Sequence, residues 1–277
     1  MDNFFFVMWK PFLACLILTG IHAYLGIHVI ERQVIFVDLA LAQIAALGAV
    51  MAVVLGFDMH GSATYWFSLA ATTVGAVIFS LTRSKTEKIP QEAVIGIVYV
   101  LAAACSILIL SGSAEGDEHI RHMLVGNILL VQGPEILEMA VIYVLVGLFH
   151  WVFQKNFFRI SLNPQEAFSQ GFPVRWWDLL FYLTFGLVVT SSVRVAGVFL
   201  VFTFLIIPSL SAMLFTKRLR QRLVFAWVMG TVASFLGMTA SYFFDLPTGP
   251  AVVCTFGVLL CVLALVKGTV FKDDRRR

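Results

Sequence analysis

Asp38 is the residue whose type and place most require an explanation. It lies near the start of an apolar run, in Phe36-Val37-Asp38-Leu39-Ala40-Leu41-Ala42-Gln43. A carboxylate inside hydrocarbon costs at least about 2.5 kcal/mol, so it is a functional candidate by default. Gln43 lies five positions on, roughly 140° around a helix that turns about 100° per residue, so the two share a face only loosely. Read functionally, Asp38 and Gln43 are a cation-handling pair, one supplying negative charge and the other a carbonyl oxygen. Read structurally, Asp38 is a helix-start residue at the interface and Gln43 hydrogen-bonds a neighbouring helix. Residue types alone leave both open.

Other groups could do chemistry. His22 and His28 fall in the first apolar run, and Glu31 follows three residues after His28, on the same helical face. They read either as ligands or as a satisfied interfacial pair. Glu115, Asp117, Glu118, His119 and His122 crowd into loop 111–122. Imidazole with carboxylate suits zinc or manganese, and a solvated loop is the plainer reading. Pro208 interrupts Phe204-Leu205-Ile206-Ile207-Pro208-Ser209, freeing the carbonyl of Phe204. Such a break either lines a transport path or is a plain kink. Cys15, Cys105, Cys254 and Cys261 are dispersed without metal-type spacing and read as small buried hydrophobes. No GxxxxGK[ST], HExxH or GxSxG motif is present, so neither P-loop ATP hydrolysis nor an intramembrane hydrolase is supported.

The elements that must position these groups follow from composition. Of 277 residues, 60% are apolar and only 13% charged, against about 25% charged in soluble domains. Mean hydropathy is +0.93. So few charges cannot cover a soluble globule, and a net charge of +3 suggests no nucleic-acid partner. The expected fold is all-α: a polytopic membrane bundle of about eight to nine transmembrane helices, with the lipid bilayer as its solvent. Nine candidate spans can be read, at 11–30, 36–56, 63–82, 91–110, 123–153 (broken at Gln132-Gly133-Pro134), 178–191, 196–215, 223–243 and 251–271. Met1–Trp9 carries no basic leader, which reads against a cleavable signal. No separate soluble domain is expected: 1–277 reads as one transmembrane domain with a basic tail at 267–277.

Loop charge sets the expected orientation. Loops 83–90 and 154–177 each carry a net +2, segment 216–222 carries +4 and the tail from Lys267 carries +3. Loop 111–122 carries −2, while 56–62 and 244–250 hold one Asp each. The basic segments therefore belong in the cytoplasm, and the N-terminus falls outside if 11–30 crosses once. Within 161–174, Asn163 can cap, Pro164 fits the first helical position and Gly171 suits the stop, which predicts a short cytoplasmic helix.

Four segments carry a family resemblance. They are Glu31–Asp38 with Leu41-Ala42-Gln43 and Gly48; Gln91-Glu92-Ala93-Val94-Ile95-Gly96-Ile97-Val98-Tyr99; Val195–Val201 running to Pro208 and Ala212; and Asp245-Leu246-Pro247-Thr248-Gly249-Pro250. In order and at matching spacing, from about residue 20 to 265, they resemble the membrane-spanning permease subunit of ABC importers for divalent metals, the zinc, manganese and iron type. The resemblance implies a type II importer-like fold and a multi-pass protein of a prokaryotic inner or plasma membrane. It implies a permease that binds no covalent cofactor and is not itself an enzyme. A second permease chain, two cytoplasmic ATPase subunits that use ATP, and an extracytoplasmic metal-binding protein would complete the assembly. Segment 161–174 would be the coupling helix, with Asn163, Glu166, Ala167, Gln170 and Gly171 meeting the ATPase. Asp38 and Gln43 would meet the metal, and Pro208 would line the path.

This chain departs from the family pattern at one point. The family usually has an Asp and a His four residues apart in the second span. Here Gln43 stands at the His position and Leu39 at the Asp position, with Asp38 one place earlier. A harder ion, other ligands, or a chelate, siderophore or cobalamin substrate would each account for that. A stand-alone secondary transporter is the rival of a different class.

Overall fold

A computed structural model describes residues 2–58, 61–83, 90–111 and 124–270. The described residues are helical, with no strand among them. In chain order the helices are α1 (Asp2–Glu31), α2 (Val37–Val54), α3 (Ser62–Thr82), α4 (Gln91–Leu110), a 3-10 turn at Ile128–Leu130, α5 (Gly133–Val152), α6 (Gln154–Leu162), α7 (Pro164–Ser169), α8 (Val174–Phe215), α9 (Leu219–Phe244) and α10 (Thr248–Val270). Eight of them are long and apolar enough to cross a membrane. Such helices satisfy their backbone internally, as a hydrocarbon solvent requires. Cys15 is buried, but Cys105, Cys254 and Cys261 are exposed. The expectation of buried thiols fails for those three because apolar helix faces can remain exposed where lipid is the solvent.

Two spans differ from the sequence reading in extent. The first helix begins at Asp2 and absorbs Pro11, with Phe4 ring-to-ring on Tyr242 at 5.1 Å. The fifth begins after the expected break: Pro134 sits in its first turn, and the Gln132 N–H donates to Glu135 Oε2 at 2.8 Å.

The sixth and seventh candidate spans are joined in α8, which runs for 42 residues. The gap expected at 192–195 is helical, and its one hydroxyl is accommodated on its own helix: Ser192 Oγ donates to the Val188 carbonyl at 2.5 Å. The break falls instead at Gly197, whose φ of 74° and ψ of 163° are essentially open only to glycine.

The chain divides into two compact units. The first comprises Met1–Ile30, Val125–Ala140 and Val195–Arg277. Its helices approach closely through small residues. Gly26 lies against the backbone of Leu205, and Ser209 Oγ donates to the Ala23 carbonyl at 3.1 Å. Ala23, Ala212 and Ala226 form a cluster without exposure. With no hydrophobic drive between helices in lipid, such close backbone contact is what holds them. The Gly197 break is closed by Val125-Gly126-Asn127: the backbones of Gly126 and Gly197 touch, and the Asn127 N–H donates to the Val195 carbonyl at 3.3 Å.

The second unit comprises Glu31–Leu124 and Val141–Arg194. Here α2 packs on α3 through Gly48, which faces the backbone of Phe67 and Ser68. Thr72 and Thr190 hydroxyls meet at 3.3 Å. An aromatic layer of Phe149, His150, Phe157 and Phe181 fixes α6 under α5 and α8, with His150 and Phe157 stacked at 4.1 Å.

Candidate functional site

The start of α2 is unusual. Its N-cap residue is Phe36, which has no side-chain acceptor to offer. The Phe36 N–H donates instead to Glu92 Oε1 of α4 at 2.9 Å. A carboxylate from another helix thus does the capping work and opposes the helix dipole.

Asp38 follows in the first turn, with no solvent exposure. Neither of its carboxylate oxygens has a hydrogen-bond partner among the described residues. Gln43 is half-buried on the same helix and does not bond to Asp38. Asp38 and Tyr65 lie within electrostatic range of the buried Tyr143 phenol, which is hydrogen-bonded to Ser192. The Arg194 guanidinium stands over the Tyr65 ring at 5.2 Å. The arrangement is therefore one unsatisfied carboxylate in a region of hydroxyls. Among the described residues no three His, Cys, Asp or Glu side chains converge into a metal cage. A lone hard oxygen donor with hydroxyls nearby suits passage of a hard cation better than its storage.

The remaining residues singled out in sequence fall elsewhere. His22 and His28 are buried in the first unit, His22 Nδ1 donating to the Leu18 carbonyl at 2.9 Å and His28 edge-on to Tyr24 at 4.8 Å. The acidic and histidine cluster of 112–122 lies outside the described residues. Pro208 is buried inside α8 and belongs to the first unit, whereas Asp38 belongs to the second.

The short helix α7 forms where the punctuation places it, with Pro164 at its first position and Gly171 at φ 70° just beyond. Asn163 occupies the cap, but its side chain makes no capping bond; its carbonyl accepts from Ala167 N at 3.1 Å. Ala167 is fully buried and anchors the turn. Asn163, Glu166, Gln170 and Gly171 are exposed, and Gln170 Nε2 donates to Glu166 Oε1 at 2.9 Å.

The sequence reading missed a buried ion cluster. Arg32 Nη1 and Asp178 Oδ1 meet at 2.6 Å with neither side chain exposed, and Arg83 Nε stands 3.4 Å from Asp178 Oδ2. Burial pulls the pKa of the Arg32 guanidinium below its ordinary value, a shift that Asp178 opposes. The available signal was Asp178 itself, a carboxylate at the head of an apolar run.

Known proteins share this fold. The chain is 27% identical over 242 residues to the manganese transport system membrane protein MntC of Listeria innocua, covering 87% of this chain and 84% of that one. It is 24% identical over 259 residues to a probable iron transport system membrane protein of Haemophilus influenzae, covering 94% and 89%. The fold matches a chain of PsaBC from Streptococcus pneumoniae, solved with a Fab, at a TM-score of 0.77 and 20% identity, over 95% of this chain and 94% of that one. A sequence model described as the ABC 3 transport family matches residues 4–267, and this multi-pass membrane protein belongs to that family.

Proposed function

We propose that this chain is the permease subunit of an ATP-driven importer of divalent transition-metal cations, manganese first among them and ferrous iron second. The observation that carries the substrate is Asp38: a buried carboxylate with both oxygens unsatisfied, at the head of α2. Relatives named for manganese and iron transport support it. So does the donor set, since carboxylate, hydroxyl and amide oxygen favour manganese, whereas imidazole favours zinc.

A bare dication cannot enter hydrocarbon, so the path must replace its water with protein oxygens. Asp38 supplies charge that attracts the ion and offsets its desolvation. Gln43 supplies a neutral oxygen. Two such chains alternate access between the two sides. Because a permeant ion must also leave, one carboxylate per chain serves transport better than a closed cage.

The work comes from two ATPase subunits docked at α7, where Asn163, Glu166, Gln170 and Gly171 are exposed and Ala167 anchors the turn. Loop charge puts this helix in the cytoplasm. An extracytoplasmic binding protein hands over the ion.

Cellular metal content tests the substrate. In cells stripped of their own manganese importers, expression of this chain with its ATPase and binding protein is expected to restore manganese, measured by elemental analysis, and to leave zinc unchanged. Restored zinc with unchanged manganese would overturn the reading.

A further inference from the structure

We propose that Arg32 is a positioning residue for transport, holding α7 in register with the helix that carries Asp38. The proposal rests on the reading above, in which α7 receives the ATPase. Arg32 lies between α1 and α2, six residues before Asp38. Its Nε donates to Ser161 Oγ at 2.8 Å, and the Ser161 hydroxyl donates to the Phe157 carbonyl at 2.8 Å. Ser161 is in the last turn of α6, and only Leu162 and Asn163 separate it from the first residue of α7. The Arg159 side chain bonds to Gln170 and lies over the Phe172 ring at 4.5 Å, so α6 and the turn beyond α7 are clasped together. The other arm of Arg32 grips Asp178 on α8, and its Cζ stands 3.8 Å over the Phe181 ring. A push on α7 therefore reaches Arg32 through its guanidinium, and Arg32 belongs to the short segment that leads into α2.

The chemistry of the cluster argues for direction over stability. Two cations meet one anion, and the helix ends take up the surplus. Arg83 caps the C-terminus of α3 and Ser161 sits at that of α6, where the dipoles favour cations, while the N-terminus of α8 favours the Asp178 carboxylate. A well-packed apolar cluster of the same volume would hold the fold as firmly or better. What it would lack is the fixed angle of a guanidinium fork on two acceptors. Arg83 extends the fork, donating from Nη1 to Gln91 Oε1 at 2.8 Å, while Gln91 Nε2 donates to Tyr182 Oη at 2.9 Å.

The test uses the permease assembled with its ATPase in lipid vesicles, counting manganese ions moved per ATP hydrolysed. Removing Asp178 is the wrong test, because it strands a buried guanidinium. Ser161→Ala removes one acceptor and leaves the ion pair. Arg32→Lys keeps the charge but cannot serve both acceptors through a planar fork. Each is expected to hydrolyse ATP at the wild-type rate and to move roughly tenfold fewer ions per ATP, the scale of one hydrogen bond to a charged group. The double variant should be no worse than the worse single one, since both remove the same bond. Ser161→Thr, which keeps the hydroxyl, should recover the ratio. A wild-type ratio in Ser161→Ala, or losses that multiply in the double variant, would overturn the proposal. So would parallel loss of assembly and ATP hydrolysis, which marks a purely structural role. A wild-type complex that moves no manganese under ATP would overturn the underlying function, and this proposal with it.

Discussion

Asp38→Asn is expected to lower ATP-driven manganese uptake by at least about 100-fold, or about 2.7 kcal/mol at the limiting step, while the purified protein melts at the same temperature as wild type or higher. The two halves of this expectation come from the same observation. Neither Asp38 oxygen has a hydrogen-bond partner among the described residues, and the side chain has no exposure. A buried carboxylate in that condition strains the fold, so its neutral isostere relieves it. The same carboxylate is what a dication needs. At an effective dielectric of about 20, a unit charge about 4 Å from a dication gains roughly 8 kcal/mol, enough to offset much of the ion's lost hydration. The amide of Asn keeps the shape and one oxygen but not the charge. Uptake of radioactive manganese and a thermal melt in detergent check both halves. Wild-type uptake by the variant removes Asp38 from the path, whereas loss of uptake with a large fall in melting temperature would mark it as structural.

Gly197→Val should destabilise the first unit by about 4 kcal/mol and lower the melting temperature by about 10 °C. Two costs combine. The backbone there, at φ 74° and ψ 163°, is one that residues with a Cβ scarcely enter. A Cβ would also run into the backbone of Val125 and Gly126, which cannot rotate away as a side chain can. That close approach lets Asn127 N–H reach the carbonyl of Val195, so widening it also leaves backbone polar groups unpaired in an apolar setting. Gly20→Ala is the matched control, because nothing lies within 4 Å of the Cβ it would add. Equal melting temperatures for the two variants would contradict this account of the break.

What the sequence made legible, and what it hid, divides along physical lines. Apolar runs show in composition, because hydrocarbon accepts nothing else of that length, and the helices fall close to where the runs lie. The α7 turn shows because Asn163-Pro164 and Gly171 are local punctuation, acting within a few residues. The position of the α8 break does not show. Thr190, Ser191, Ser192 and Arg194 look like a polar turn, yet Ser191 bonds within its own helix, and the decisive residue is a glycine whose conformation depends on Gly126, far away in sequence. The capping of α2 by Glu92 and the Arg32–Asp178 pair were hidden for the same reason. Their partners are 56 and 146 residues apart, and no periodicity encodes such a meeting. Asp38 stood out from its type alone, but its lack of partners is a property of the folded neighbourhood.

Manganese flux into sealed vesicles holding the purified permease, with and without its ATPase, tests the central claim most directly. Radioactive manganese should accumulate inside only when the ATPase is bound and ATP is supplied on the side of α7, and should stay at background for the permease alone under any ion gradient. Accumulation by the permease alone, driven by protons or sodium, would contradict the account.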